Sequence, residues 1–241
     1  MNSREEMIEE LLKKPALGPD DKFRFWCTAC GECCSHTEGV ILEPGDIYRA
    51  SKYMGITPKE FFEEYCEWYI GPDSCFPLIV PKTVGITRDC IFLKDRKCRI
   101  HKAKPSVCEI YPLGRMIQMD DDEPKVIYRL QSVRCGKMCR ESTVREWLSR
   151  TGIEKSEEYF LEFHNMLTKV TPPLRKLFLG DKYNKLLDFT AKMLIGMVYL
   201  DYDMDGEFVP QFKKNTEEAL KMIREIDEII EKTVGQGSSV T

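Results

Sequence analysis

Long apolar runs are missing from this chain. The most apolar stretch, Ala191 to Leu200, is broken by Lys192 and Gly196. A spanning helix needs roughly 20 mainly apolar residues, so no transmembrane segment is expected. The N-terminus, MNSREEMIEELLKKPALGPDDK, places acidic residues where a secretory leader needs an apolar centre, and the expected compartment is the cytoplasm. A dominant charge is missing as well. Lys and Arg number 36 against 40 Asp and Glu, a net charge of −4, which exerts no global pull on nucleic acid. There is no phosphate-cradling glycine-rich loop, no Ser-His-Asp pattern, no internal repeat and no low-complexity tract. Cysteine is absent from the whole C-terminal region beyond Cys139.

Upstream of that point cysteine is abundant. All eleven lie between Cys27 and Cys139. In an oxidising compartment such a set reads as a disulfide framework; in a reducing one it points to metal or redox chemistry.

The chain divides by pattern into three parts. Residues 1–22 read as a short amphipathic helix with Met7, Leu11 and Leu12, stopped at Pro15, then a polar linker. Residues 23–140 hold the cysteines among short mixed elements. Gly39–Leu42 reads as a strand. Pro44–Met54 reads as a helix, with Pro44 in its first turn and Gly55 at its stop. Thr57-Pro58-Lys59-Glu60 is a helix start with a capping box, running to about Tyr69. Two hairpins are expected. In one, 90–93 and 98–101 flank the turn 94–97, with Cys90 and Cys98 at matching ends. In the other, 115–119 and 125–130 flank an acidic turn. Residues 141–241 read as helical: Phe160, Phe163, Leu167 and Val170 share one face, and 183–198 continue the period. A last helix, opened by an Asn215-to-Glu218 box, carries Leu220, Ile223, Ile226 and Ile230. The tail from Gly235 is expected to be disordered. The fold class is α+β and predominantly helical: a small irregular cysteine domain with short hairpins, bound to metal and packed on a C-terminal helical region.

Cys27-Thr28-Ala29-Cys30-Gly31-Glu32-Cys33-Cys34 puts four thiols into eight residues. Two-residue gaps let the chain curl so that sulfurs converge, Gly31 can take the positive φ of such a knuckle, and backbone N–H groups then point at sulfur. Three such sulfurs can each hold one iron of a [4Fe–4S] cluster, with a fourth ligand from elsewhere. Two of them can equally supply half of a tetrahedral Zn2+ site. Adjacent side chains usually point apart, so Cys33 and Cys34 are expected to serve two nearby centres, or to divide into one ligand and one packing or redox thiol. Cys90, Cys98, Cys108 and Cys135 supply the remote sulfurs. Cys66 and Cys75 have no tight spacing and read as small buried hydrophobes. The CxxxCxxC spacing of radical enzymes that use S-adenosylmethionine is absent from the N-terminal quartet.

Phe25, Cys27, Cys30, Gly31, Cys33, Cys34, Asp46, Ile47, Cys90, Phe92, Leu93, Cys98, Ile100, His101, Pro105, Cys108, Tyr111 and Pro112 together form an ordered pattern over residues 23–139. That pattern resembles the YkgJ-type cysteine-cluster family, proteins described as zinc- or iron-chelating. The resemblance implies metal binding. A relative of that family, the flagellin lysine N-methylase, is linked to an iron–sulfur cluster, which opens the alternative of an Fe–S-dependent protein-modifying enzyme or oxidoreductase. A zinc-stabilised module that binds a partner protein is the third possibility. Two positions depart from the family pattern: Lys104 stands before Pro105 and Glu109 follows Cys108, where arginine is usual.

Other signals are weaker. His101 is expected to pack as an aromatic beside the cysteines, and His36 could coordinate. The basic stretch from Arg88 to Lys104 is expected to be a solvated face offsetting thiolate charge rather than a nucleic-acid surface. Asp201-Tyr202-Asp203-Met204-Asp205-Gly206 copies half of a calcium loop, but Phe212 stands where the bidentate Glu belongs, so an Asp-Gly turn is expected. The expected ligand pool is Cys27, Cys30, Cys33, Cys34, Cys90, Cys98, Cys108 and Cys135.

Overall fold

The structure is a computed structural model that describes residues 4–35, 39–121, 123–133, 135–180 and 183–237; His36 and the tail from residue 238 lie outside them. The chain forms α1 (Arg4–Leu12), β1 (Lys22–Trp26), α2 (Pro44–Met54) and α3 (Pro58–Tyr65). Glu43 and Asp46 close a capping box on α2, and Gly55, at φ 71°, ends it. Thr57 and Glu60 cap α3 in the same reciprocal way. The expected Gly39–Leu42 strand reduces to one bridge, Leu42 to Ile79.

The expected extension of α3 to Tyr69 is wrong. It stops at Tyr65, and β2 (Cys66–Ile70) pairs with β3 (Pro77–Pro81). Cys66-Glu67-Trp68-Tyr69-Ile70 is rich in strand formers, and pairing it with β3 puts Cys66 and Ile79 in the core. The first expected hairpin is also corrected. β4 (Thr83–Val84) pairs with β5 (Asp89–Cys90), and β6 (Leu93–Lys94) pairs with β7 (Lys97–Cys98). Cys90 therefore faces Thr83 and Cys98 faces Leu93. The β6–β7 turn is only Asp95-Arg96, both at positive φ (50° and 59°), as the primed two-residue turns require.

After α4 (Ser106–Ile110) come β8 (Leu113–Asp120) and β9 (Glu123–Leu130), which pair from Leu113↔Leu130 to Asp120↔Glu123 as expected. β10 (Lys137–Thr143) then returns to β1, with Lys22 opposite Thr143. The helical region holds α5 (Val144–Thr151), α6 (Glu157–Leu179), α7 (Asn184–Leu194), a π-helical turn (Ile195–Leu200) and α8 (Phe208–Gly237). Asn215 does not open the last helix. α8 begins at Phe208, just after the Asp205-Gly206 turn, and Asn215 Nδ2 donates to the Asp201 carbonyl at 2.7 Å. Together these elements make a mixed α+β fold with more helix than strand, its sheets small and antiparallel.

Two cores organise the molecule. The larger joins Ile47, Phe61, Phe76, Ile79 and Phe92 to Phe163, Leu174, Val198, Phe212 and Ile223, so α2, α3 and the short strands share one interior with α6–α8. The smaller holds Phe23, Phe25, Ile110, Leu113, Tyr128 and Trp147. Cys90 and Cys98 pack on the first core, and Tyr111 packs on the second. The cysteine loops lie where the two meet.

Candidate metal centre

The N-terminal quartet is placed by its glycine. Gly31 sits at φ 77°, and a Cβ there would stand 2.9 Å from the Arg96 carbonyl oxygen. Only glycine lets the β6–β7 turn approach so closely. Arg96 Nε also donates to the Cys30 carbonyl at 3.2 Å. The hairpin carrying Cys98 is thus seated on the loop carrying Cys30, Cys33 and Cys34. A second glycine, Gly136, at φ 81°, lies against Phe25 and the Trp26 carbonyl. This fixes Cys135 beside the end of β1.

These contacts gather six thiols around Cys33. Cys34, Cys30 and Cys135 act on it directly, while Cys90, Cys98 and Cys108 each feel its charge. Three of the thiols repeat one local arrangement. The N–H of Glu32 is directed at the Cys30 sulfur, that of Phe92 at Cys90, and that of Ile100 at Cys98. Each donor lies two residues beyond its cysteine and favours the thiolate there; the N–H prevails at Cys30, while burial outweighs it at Cys90 and Cys98.

The thiols differ in their proton affinity for identifiable reasons. Glu32 N–H, the Thr28 side chain and Gly136 N–H hold Cys30 below its ordinary value, with burial opposing them. The hydrogen bond shared with Cys34, then burial, then the charges of Cys34 and Cys30 push Cys33 well up. Burial pushes Cys90 and Cys135 each to about 11; on Cys135 the Tyr111 hydroxyl partly relieves it. Burial, followed by the charges of Cys90 and Asp46, raises Cys108. Burial also raises Cys98, and Ile100 N–H and Lys104 oppose it. Protons held on crowded, half-buried thiols are displaced when a cation binds.

Cys33 and Cys34 do not point apart. Their sulfurs are 3.9 Å from each other across the turn Glu32–Cys34. A tetrahedral ion with metal–sulfur bonds of about 2.3 Å needs sulfurs about 3.8 Å apart, so this adjacent pair has the separation to grip one ion. Among the described residues, no three His, Cys, Asp or Glu side chains have closed into a ready-made ligand shell. The donor set nonetheless suits a thiophilic metal: many sulfurs, directed N–H groups, and all eleven cysteines free.

The remaining cysteines divide plainly. Cys27, the eighth expected ligand, is exposed just past β1 and is not among the partners of Cys33. Cys139 is exposed on β10. Cys66 and Cys75 are 6% and 1% exposed in the main core, and burial pushes Cys66 to about 12. His101 is exposed rather than packed, because it opens a surface 3-10 turn. The basic residues Arg88, Arg96, Lys97, Arg99 and Lys102 are exposed. The calcium-like loop is an Asp-Gly turn, with Gly206 N–H on the Asp203 carbonyl. Lys104 and Glu109, the two departures from the family pattern, pair with each other at 3.8 Å.

Sequence reasoning missed Arg96, Gly136 and the Tyr111 hydroxyl as supports of the site. The adjacent Asp-Arg of a two-residue turn was the available signal for the first. Tyr111 stands in the ordered pattern, which marked its position but not the use of its hydroxyl; Gly136 had no signal, since its seat depends on where β10 returns. Beside Cys135 lies an open depression of about 430 Å³ lined by Leu130, Gln131, Val133, Gly136 and Met138.

Residues 26–129 match the family model described as "CxxCxxCC: Putative zinc- or iron-chelating domain". The chain is also 24% identical over 96 residues to "Uncharacterized protein MJ0661" of Methanocaldococcus jannaschii, a stretch covering 39% of this chain and 47% of that protein. The match thus spans about half the length of that curated relative. No solved structure matches the chain significantly. Among the described residues no helix is long and apolar enough to cross a membrane.

Proposed function

We propose, from the match of residues 26–129 to the CxxCxxCC model, that the chain is a metal-binding protein of that family whose centre is an iron–sulfur cluster held by cysteine thiolates in a reducing compartment, the cytoplasm. Cys30, Cys33, Cys34, Cys90, Cys98, Cys108 and Cys135 form the ligand pool, with Cys27 as an outer member. The supporting observation is the convergence on Cys33 of thiols from separate loops, with Cys30, Cys90 and Cys98 each accepting an N–H from two residues further on. Seven clustered thiols exceed the four that one zinc ion or one Fe–S cluster takes; three closely spaced sulfurs with remote ones to complete the set are what favour the cluster. When bound, the group would supply electron transfer or structural cross-linking. The protein's own contribution is to converge three loops, to aim N–H groups at sulfur, and to bury one side of the site on the main core.

Zinc is the second reading, favoured by the 3.9 Å Cys33–Cys34 separation. The enzyme alternative asks for a polar pocket at the centre. Among the described residues the depression beside Cys135 is lined by no carboxylate, imidazole or amine, and its Gln131 already donates to the Leu113 carbonyl. Partner binding by the helices remains the role of the zinc reading. Anaerobic purification separates the two. A brown protein with iron and acid-labile sulfide supports the cluster, and a colourless one with stoichiometric zinc supports the second reading. Protein isolated without either metal overturns both.

A further inference from the structure

Asp46 is one of the few charged side chains in the interior, at 2% exposure, and its two oxygens do different work. Oδ2 accepts the Glu43 N–H at 2.9 Å, which completes the cap of α2. Oδ1 plays no part in that cap. It accepts the Ser106 N–H at 2.8 Å, the Ser106 hydroxyl at 2.7 Å and Arg49 Nη2 at 2.6 Å. Arg49 also reaches the Ser106 hydroxyl at 3.2 Å. A single carboxylate oxygen thus fastens a residue far along the chain.

Ser106 opens α4, and Cys108 is two residues further on. A helix of five residues cannot hold its own conformation, because each turn must first meet the cost of nucleation. Its direction is set from outside at both ends: Ser106, 1% exposed, is fixed on Asp46 at the start, and the Ile110 carbonyl accepts the Trp147 indole N–H at 2.9 Å at the end. Rotation of α4 by one residue would carry Cys108 about 100° around the helix axis, away from Cys33. Cys90 and Cys98 sit in β-hairpins with their own ladders; Cys108 has no such support.

We propose that Asp46 is the positioning residue for Cys108, holding α4 so that this thiol faces the metal centre; the inference rests on the thiolate-centre reading above. It assigns the carboxylate a role in the site although it touches no ligand.

The test is cysteine-by-cysteine alkylation of the anaerobically isolated protein with its own metal, read by mass spectrometry, for wild type, D46N and S106A. In wild type Cys108 is protected with Cys30, Cys90 and Cys98. In D46N, Cys108 alone becomes alkylated about tenfold faster and one thiolate ligand is lost, while the other thiols keep their protection. S106A keeps the N–H bond and shows a smaller, roughly threefold change at the same cysteine; S106T restores protection. If wild type carries no metal, the centre itself is refuted. If metal is bound and Cys108 in D46N is as protected as in wild type, the Asp46 assignment is overturned and the centre stands. Equal loss of protection at every thiol in both variants also overturns it, since that is general loosening. Should D46N fail to fold, S106A decides by the same criterion.

Discussion

Gly31 and Arg96 are packed backbone to backbone: a single added methyl on Gly31 would stand 2.9 Å from the Arg96 carbonyl oxygen, at a φ of 77°. The consequence for Gly31→Ala is specific. A non-glycine residue in the left-handed region costs about 1–3 kcal/mol, and here the hairpin must also move away from the cysteine loop. Gly55 is the control, with a similar φ of 71° and open space around it. Both variants should lose stability, but only G31A should lose metal, by roughly tenfold in affinity. Metal per chain and thermal midpoints, measured side by side, check this.

Arg115 is buried between Glu43 and Phe160. Its Nη2 lies 2.9 Å from Glu43 Oε1, and its guanidinium carbon sits 3.7 Å from the Phe160 ring centroid. Removing one partner of a buried pair typically costs about 3–5 kcal/mol, so Arg115→Met should be strongly destabilised. Burial and the Asp46 charge already raise Glu43 to about 7 against the pull of Arg115, and without Arg115 it rises further. The folded variant then holds a proton that the unfolded chain releases near pH 4.3, so its stability falls as pH rises through that window. The deficit should be smaller at pH 5.5 than at pH 8 in urea titrations. An equal deficit at both would contradict a buried carboxylate at Glu43.

His164 gives the opposite slope. Burial holds it below 6.5, with the Phe160 carbonyl, 2.8 Å from Nδ1, opposing and the Arg115 charge adding. Between its folded value and 6.5 the unfolded chain binds more protons than the fold, so this contribution is complete above pH 6.5 and is lost as pH falls below it. His164→Gln should lose less stability than wild type between pH 7.5 and 5.5. Unfolding midpoints at the two values measure the difference.

Lys104 and Glu109 stand 3.8 Å apart, with side chains 19% and 29% exposed. Reversing either charge should destabilise the protein by about 1 kcal/mol or less, and reversing both should restore most of it, since pairs at this separation and exposure are weak. A double-mutant cycle reads the coupling directly. A coupling of zero would mean that the two positions vary independently.

What the sequence made legible was local. The limits of α2 followed from Pro44 and Gly55, and the start of α3 from Thr57 and Glu60, because caps are written in neighbouring residues. The β8–β9 hairpin followed from two strand-forming runs around an acidic turn. The end of α3 was misread because Cys66–Ile70 suits helix or strand alike until β3 offers it a partner. The start of α8 was misread because Asn215 and Glu218 imitate a cap inside a helix already under way. The site was partly legible: spacing pointed to the N-terminal quartet, and order along the chain to Cys90, Cys98 and Cys108. The closeness of Cys33 to Cys34 and the seats of Gly31 and Gly136 depend on contacts between distant segments, which no local pattern encodes.

The pairing of Lys22 with Thr143 sets an order of events during synthesis. Cys30 and Cys33 leave the ribosome early, yet the ribbon that brings Cys135 to them forms only once the chain beyond Thr143 has emerged. Until then the nascent protein displays an unfinished set of thiols. On the proposed centre, metal delivered before that point would meet only part of the thiol set, and complete loading would follow the closing of β10 on β1.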